Sequence, residues 1–346
     1  MSDRLLVRAP GPLATLQDAG RRGYQRLGVS GSGPMDRLAH EAANRMTGNQ
    51  PGTVALEFAL GGLVLEVAAE RARLAFAGGA FELKVDDKPM PWWSCVTVHR
   101  GQMVRIGRAQ AGVWGYVAIA GGLALPAQLG SYATHTLSRL GGIEGRPLRA
   151  GDALALAEPE PSPHPDLMLP DPPPARDVIR AVPGPQDDYF TPAGLAAFFG
   201  EGYRVSAQAD RMGYRLEGPQ VEHAKGFNIV SDGTVAGSVQ VPGMGTPIVL
   251  MADRQTTGGY PKIATVIGAD LPALAQIAPG GRLRFQSVSF EQALEARRVM
   301  RRWLDRLADR LEPLRTGADL DPARLLGLNL IGGVTAGDPL REGLVP

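Results

Sequence analysis

The sequence predicts a mainly β protein with some α-helix, arranged as two β-rich halves followed by a C-terminal helix. Glycine and proline are frequent, at 45 and 29 of 346 residues, and aromatic residues make up only 6%. This composition is typical of many short strands and tight turns rather than of disorder. One proline-rich segment divides the strand-like regions, and one long amphipathic pattern follows them.

Composition also predicts where the chain divides. Four regions are expected: an N-terminal β-rich half at 1–157, a proline-rich linker at 158–175, a C-terminal β-rich half at 176–288, and a C-terminal helix and tail at 289–346. Eight prolines lie between Pro159 and Pro174. Because proline is stiff and has no backbone N–H, we expect this segment to be a surface strap that does not pair as a strand.

The first half opens with glycine-rich turns and one helix. Pro34 suits a first helical position and Asp36 a first turn, and apolar residues then recur at helical spacing as far as Met46. Gly48 and Asn49 end this helix. A helix N-terminus behind a glycine-rich loop can bind an anion, although an ordinary capped helix explains the same pattern.

Strands dominate the remainder of both halves. Turn glycines followed by alternating apolar residues recur at 101–106, 151–156 and 280–285. The alternation is typical of strands, and the three short matches form a weak internal repeat. The C-terminal helix is predicted at 289–312, where capping-box spacing precedes an amphipathic pattern. Arginines and acids alternate along its polar face, which favours a solvated surface over a binding surface.

Charge and cysteine content exclude several classes of function. Lys and Arg number 36 against 35 Asp and Glu, so a net charge of +1 gives no electrostatic case for nucleic acid or acidic lipid. One cysteine, Cys95, cannot form an internal disulfide, and the N-terminus has no apolar signal-peptide core, so we expect a cytoplasmic protein. Residues 111–138 carry no charged side chain, but their glycines and proline favour a buried strand and loops over a membrane span.

Familiar catalytic motifs are missing as well. The five histidines show no zinc-ligand spacing, so no metal site is expected. No G-x-S-x-G motif supports a serine hydrolase. The sequence 31–36 contains two glycines of a dinucleotide fingerprint but lacks the third.

The loop at 253–261 has the residue types of a binding site. It lies between two apolar runs. A two-residue turn would be enough to reverse the chain between them, so this loop is longer than a plain turn requires. Gly258 and Gly259 let another molecule approach the backbone closely. Arg254 offers a five-donor fork for a carboxylate or phosphate. The alternative is a well-hydrogen-bonded loop in which Asp253 caps its own backbone.

Four motifs together resemble one known family. They are Gln17-Asp18 with Gly20-Arg21; Ser32-Gly33-Pro34-Met35-Asp36 with Gly48-Asn49; Arg211-Met212-Gly213-Tyr214-Arg215-Leu216; and Asp253-Arg254-Gln255-Thr256-Thr257-Gly258-Gly259-Tyr260-Pro261. From about Val7 to Phe285 the chain is similar to the allophanate hydrolase subunit 2 family. This family is also called the biotin-dependent carboxyltransferase-like family, and it includes the C subunit of 5-oxoprolinase. Residues 329–334 resemble the family's tail.

The resemblance implies cyclophilin-like β-barrel architecture and a partner that is a homologue of subunit 1, the B subunit of 5-oxoprolinase. Family members open 5-oxoproline to glutamate with ATP, transfer a carboxyl group from carboxybiotin to urea or a related amide, or relieve a histidine-kinase inhibitor without catalysis. The free-standing length favours the first activity over the second, with a LamB/YcsF-like protein as the A subunit. The resemblance also implies ATP and Mg²⁺ at the level of the complex and no covalently attached biotin on this chain. The regulatory role remains an open alternative.

We therefore expect cations, hydroxyls and amides to surround a small-molecule substrate. The candidate catalytic residues are Asp253, Arg254 and Arg211. The candidate substrate-binding residues are Arg21, Ser32, Asp36, Arg215, Gln240, Gln255, Thr256, Thr257, Gly258, Gly259 and Tyr260. The arginines would clamp a carboxylate or phosphoryl group, and Asp253 would orient an arginine or hold Mg²⁺ through water. Arginines that only tie loops together are the alternative.

Overall fold

The computed structural model describes residues 3–158 and 164–314 and shows the predicted mainly β chain with some helix. The strands in this part of the chain are β1 Arg4–Ala9, β2 Thr15–Gln17, β3 Ala55–Ala59, β4 Val64–Val67, β5 Arg71–Val85, β6 Lys88–Met90, β7 Ser94–His99, β8 Met103–Ile119, β9 Ala153–Ala155, β10 Leu167–Met168, β11 Val178–Pro183, β12 Gly202–Val205, β13 Gly213–Glu217, β14 Asp232–Gly233, β15 Ser238–Gln240, β16 Ile248–Leu250, β17 Thr257–Gly258, β18 Lys262–Val266, β19 Arg282–Ser287 and β20 Glu312–Pro313. The helices are α1 Arg37–Met46, α2 Pro192–Gly200, α3 Leu271–Ala275 and α4 Phe290–Asp305.

The first half forms most of an 11-stranded sheet built around β5 and β8, to which β10 and β20 also belong. These long strands pair antiparallel from Leu74 opposite Ile119 to Val85 opposite Val104. They approach so closely at Gly78 that a Cβ there would lie 2.3 Å from a β8 carbonyl oxygen, so this position requires glycine. Apolar side chains of β1, β3, β4, β5 and β8 fill a core beneath the sheet.

The second half closes into a seven-stranded barrel in the order β11-β18-β15-β16-β13-β12-β19. Parallel pairing of β11 with β19 completes the closure and sets Val178 opposite Arg284. Apolar residues of the neighbouring strands β18, β15 and β16, such as Ile263, Val239 and Val249, are fully buried. The barrel prediction is thus confirmed for this half, while the first half forms the branched sheet.

The proline-rich segment joins the first sheet, which corrects the expectation that it would not pair. Leu167–Met168 lies between β7 and β20 and pairs antiparallel with both. Neither of these two residues is a proline, so both have the backbone N–H group that strand pairing uses. The prolines of the segment lie on either side of them. The buried Arg73 also donates hydrogen bonds to the carbonyl oxygens of His164 and Pro165, at 3.0 and 2.8 Å. The segment is therefore a strap that is fixed at its middle.

The two long predicted helices are present, the second with a shorter extent. Asp36 caps α1, because its side chain accepts a hydrogen bond from the backbone of Ala39 at 2.9 Å. The predicted capping box starts α4, but α4 ends at Asp305 rather than at residue 312. Leu307, just after this helix, is buried in the core, and the chain then forms a short 3₁₀ helix. The expected family tail at 329–334 lies outside the described residues. No helix within the described residues is long and apolar enough to cross a membrane.

Candidate functional site

Polar side chains connect the sheet to the barrel, and we call this contact the seam. Gln276 follows α3 and accepts hydrogen bonds from the backbone N–H groups of Val113 and Trp114 at 2.8 and 3.0 Å. Its amide nitrogen donates to Asp36 at 2.8 Å. One side chain from the second half therefore satisfies both a strand backbone and a helix cap of the first half.

Arg211 lies at the centre of the seam, just before β13. Its Nε and Nη2 donate to the two carboxylate oxygens of Asp253 at 2.8 and 2.9 Å, and Nη2 also donates to the Gly33 carbonyl at 2.8 Å. Its Nη1 donates to Glu57. A guanidinium has five N–H donors, and these contacts engage four of them. The structure thus places this predicted catalytic residue as a tie that positions Asp253.

Glu57 and Tyr116 complete the seam, although the sequence analysis did not select them. The Glu57 carboxylate accepts hydrogen bonds from the Tyr116 hydroxyl at 2.7 Å and from the backbone of Met35 at 2.8 Å. The Tyr116 oxygen in turn accepts from the backbone N–H of Asp36 at 2.7 Å. Burial raises the pKa of Glu57, and Arg211 opposes that rise. Burial also raises the pKa of Tyr116, so its hydroxyl stays protonated and can donate.

Asp36 was predicted to bind substrate, but both of its side-chain oxygens are engaged within the protein. One accepts from the Ala39 backbone at 2.9 Å, and the other accepts from Gln276. Burial raises the pKa of Asp36 to about 6, although its hydrogen bonds with Ala39 and Gln276 oppose that rise. Asp36 therefore holds α1 and the seam in place.

Asp253 is surrounded by donors in the same way. Its Oδ1 accepts from the Ser32 hydroxyl at 2.7 Å and from Arg211, which also donates to Oδ2. An oxygen pair occupied by a bidentate arginine does not fit the Mg²⁺ role suggested by the sequence. Within residues 3–158 and 164–314, no three His, Cys, Asp or Glu side chains are grouped as metal ligands.

Two buried arginines beside Asp253 each have an N–H that no described protein group accepts. Arg254 is 9% exposed; its Nη1 donates to the Met251 carbonyl at 3.4 Å, and its Nε has no partner in the described chain. Arg21 donates to two loop carbonyls at 3.1 and 2.9 Å, but its Nη1 is unpaired among the described groups. Burial lowers the pKa of both guanidinium groups; Asp18 and then Asp253 oppose the effect in Arg21, and Asp253 opposes it in Arg254.

Arg22 and Arg37 add positive charge to this region. Burial lowers the pKa of Arg254, and the positive charge of Arg37 lowers it further. The pKa of Arg37 is in turn lowered by burial and by the positive charge of Arg22. We call Arg21, Arg22, Arg37 and Arg254 the basic cluster. Because Asp253 is already paired with Arg211, this cluster carries excess positive charge. A buried donor without an acceptor costs about 1–3 kcal/mol, so the cluster favours a bound carboxylate or phosphate.

The rest of the predicted loop folds over the outer wall of the barrel. Its segment Thr257–Gly258 pairs with Asp232–Gly233 as a short hairpin. The Gln255 amide donates to Gln240 of β15 at 3.3 Å. A Cβ at Gly258 would lie 2.2 Å from the Gln240 amide nitrogen, so a larger residue there would displace the Gln240 side chain.

The predicted loop residues are therefore brought together, and one other candidate is not. The residues at or next to the hairpin are Gln240, Gln255, Thr256, Thr257, Gly258, Gly259 and Tyr260. Arg215 is exposed on β13 and alternates with the buried Tyr214 and Leu216. It faces away from the barrel interior and from the side of β13 that contacts the seam through Tyr214.

The fold and the site together define a two-part β protein whose ionic centre lies between a sheet and a closed barrel. The family model described as carboxyltransferase domain, subdomain A and B, matches residues 27–287. The chain belongs to this family, which confirms the resemblance inferred from the four motifs.

Named relatives agree with this assignment. The chain is 40% identical to the C subunit of 5-oxoprolinase from Haemophilus influenzae over 299 residues, which cover 85% of this chain and 94% of the relative. It is 38% identical to the Escherichia coli protein of the same name, with 88% and 98% coverage. Among solved structures, the urea amidolyase of K. lactis superimposes with a TM-score of 0.82 at 28% identity. That match covers 91% of this chain but only 21% of the urea amidolyase chain.

Proposed function

We propose that this chain belongs to an ATP-dependent 5-oxoprolinase complex, which opens 5-oxoproline to glutamate and also contains homologues of the A and B subunits. The two named relatives that match over nearly their whole length are both called the C subunit of 5-oxoprolinase. The observation that carries the proposal is the pair of buried arginines, Arg21 and Arg254, each with an unpaired N–H. A small carboxylate such as 5-oxoproline supplies the acceptor that these donors lack.

Each residue of the site has a distinct role in this proposal. Arg254 and Arg21 clamp the substrate carboxylate or a phosphoryl group, and the positive charges of Arg22 and Arg37 attract it. Arg211 holds Asp253, which balances part of the local positive charge without accepting the substrate. The complex uses ATP and Mg²⁺ to activate the lactam, and this chain carries no covalently attached biotin.

Partners follow from the same proposal. A homologue of subunit 1, the B subunit of 5-oxoprolinase, completes the site with this chain. A LamB/YcsF-like protein, the A subunit, hydrolyses the activated lactam. The chain alone then has the basic cluster but negligible ATP hydrolysis of its own.

The similarity to urea amidolyase supports a second candidate, a carboxyltransferase component that acts on urea or a related amide with carboxybiotin. The basic cluster fits the carboxylate that such a reaction transfers. A regulatory binding protein for a subunit 1-like kinase inhibitor is the third candidate.

Reconstitution distinguishes these candidates. The chain is co-expressed with its LamB/YcsF-like and subunit 1-like partners, and glutamate formation and ATP hydrolysis are measured with 5-oxoproline. We expect turnover that requires all three proteins. Turnover only with urea, bicarbonate and a biotinylated carrier would support the carboxyltransferase instead. A tight complex that turns over neither substrate would support the regulatory role.

A further inference from the structure

A second group of unpaired donors lies on the outer wall of the barrel. Gln240 on β15 and Lys262 on β18 are directly opposite each other in the pairing of these strands. Both residues are buried, at 2% and 3% exposure. The hairpin of β14 and β17 covers them, because Gly258 contacts the Gln240 amide and Asp232 contacts the Lys262 ammonium.

Neither side chain uses all of its donors within the described protein. The Gln240 oxygen accepts from Gln255 at 3.3 Å, whereas its buried amide nitrogen has no partner in residues 3–158 and 164–314. The Lys262 ammonium has three N–H groups, and the half-exposed Asp232 accepts one of them at 2.7 Å. Two neighbouring buried groups therefore present donors to the same small region.

Donors without acceptors select a particular ligand group. A carbonyl oxygen has two lone pairs and no hydrogen to donate, so it can accept from an amide and an ammonium at once. Gln255 joins the two places, because it follows Arg254 in the chain and its side chain contacts Gln240. A small molecule with a carboxylate and a second oxygen could thus contact both.

We propose that Gln240 and Lys262 form a carbonyl-binding subsite that holds the ring amide oxygen of the substrate, while the basic cluster holds its carboxylate. This inference rests on the proposed 5-oxoprolinase function. The ammonium and the amide polarise the ring carbonyl that must be activated. Gly258 packs against the Gln240 amide, so a ligand oxygen reaches this amide when the hairpin of β14 and β17 shifts.

Two-point binding explains how the site would select a lactam. L-proline has the same ring size and carboxylate but lacks the ring oxygen, and its ring nitrogen is a protonated amine rather than an amide. A site with buried donors for that oxygen rejects the analogue, because the donors are left without an acceptor. We therefore expect 5-oxoproline to bind more tightly than L-proline, and the difference to depend on Lys262 and Gln240.

The test uses Lys262→Met in the assembled complex, with Lys225→Met as the matched control. Lys225 also pairs with an aspartate, at 2.5 Å, but both partners are exposed and lie outside the subsite. Affinities for 5-oxoproline and L-proline are measured by calorimetry or by competition during turnover. We expect Lys262→Met to lower 5-oxoproline affinity or turnover by about tenfold to a hundredfold and not to weaken L-proline binding. Lys225→Met should alter neither.

A structural role for Lys262 predicts a different result. Lys262→Met would then lower the melting temperature but keep the ratio of 5-oxoproline to L-proline affinity, and this result would overturn the subsite. Gln240→Met provides a second variant of similar volume if Lys262→Met does not fold, and an unchanged ratio there would count equally against the proposal. An unsubstituted complex that neither binds nor turns over 5-oxoproline would instead overturn the proposed function, and the subsite with it.

Discussion

Arg211 and Arg254 are equally buried, at 9% exposure each, but they have opposite surroundings. Arg211 meets two carboxylates and a carbonyl, so its charge is balanced within the protein. Arg254 has one long contact to a carbonyl and, among the described residues, an unpaired Nε. We therefore expect Arg211 to contribute mainly to stability and Arg254 to contact a ligand.

Substitutions at Arg254 should reduce activity more than stability. We expect Arg254→Lys to lose much of the turnover of the reconstituted complex because the fork geometry is lost, and Arg254→Ala to lose about a hundredfold. Stability should change little, because no buried acid depends on Arg254 as its main partner. Melting and turnover are measured on the same preparations. A strongly destabilised Arg254→Ala whose folded fraction turns over normally would contradict the assignment.

Substitution of Arg211 should have the reverse effect. Arg211→Ala leaves Glu57 and Asp253 buried without their cation, which typically costs about 3–5 kcal/mol of stability. Arg215→Ala is the matched control, because this arginine lies four residues away and is exposed; its free energy of unfolding should change by less than about 0.5 kcal/mol. Urea unfolding of both variants measures the difference. Equal stability of the two would show that the seam does not depend on Arg211.

At the scale of elements, the cap of α1 should make stability depend on pH. The folded protein holds the pKa of Asp36 at about 6, above its usual value of 3.8, so the native state binds the proton more tightly than the unfolded state. The cost of ionising Asp36 is then present above pH 6 and is relieved as pH falls toward 4.

The variant Asp36→Asn isolates this effect, because asparagine does not titrate. The stability of the unsubstituted protein relative to Asp36→Asn should increase by about 1 kcal/mol between about pH 7 and about pH 5. Urea unfolding of both proteins at the two pH values tests this. A difference that stays constant, or that changes in the opposite direction, would contradict a raised pKa.

The strap offers a second test at this scale. Residues 164–169 are held by Arg73 and by strand pairing, whereas 170–177 is mostly exposed. We expect trypsin to cut early after Arg176 and the two pieces to remain associated, because the seam and the pairing of β10 with β20 join them. Mass spectrometry and native gels follow the reaction. Earlier cleavage within 54–150 would show that the accessible crossing lies elsewhere.

At the scale of the whole molecule, local patterns in the sequence predicted the helices and strands but not which of them contact each other. The helix from Arg37 and the strands around residues 253–261 follow from short-range periodicity and turn residues, whereas the barrel was implied by the resemblance to the family. Glu57, Tyr116 and Gln276 were missed because a buried acid, phenol or amide in a strand or helix end carries no local sign of its distant partner. The same limit explains why Arg211 and Arg254 looked alike in the sequence.

The separation of Glu57 from Arg211 also has a consequence during synthesis. Glu57 leaves the ribosome 154 residues before its counter-ion. Until then a nascent first sheet has no Arg211 to oppose the rise in the Glu57 pKa that burial causes, so we expect any sheet that closes over Glu57 to hold it protonated. Arrested chains that end shortly before and well after Arg211 should differ in protease resistance, and Glu57→Gln should reduce the difference. Translation of the second half would then supply the cation that a charged Glu57 needs.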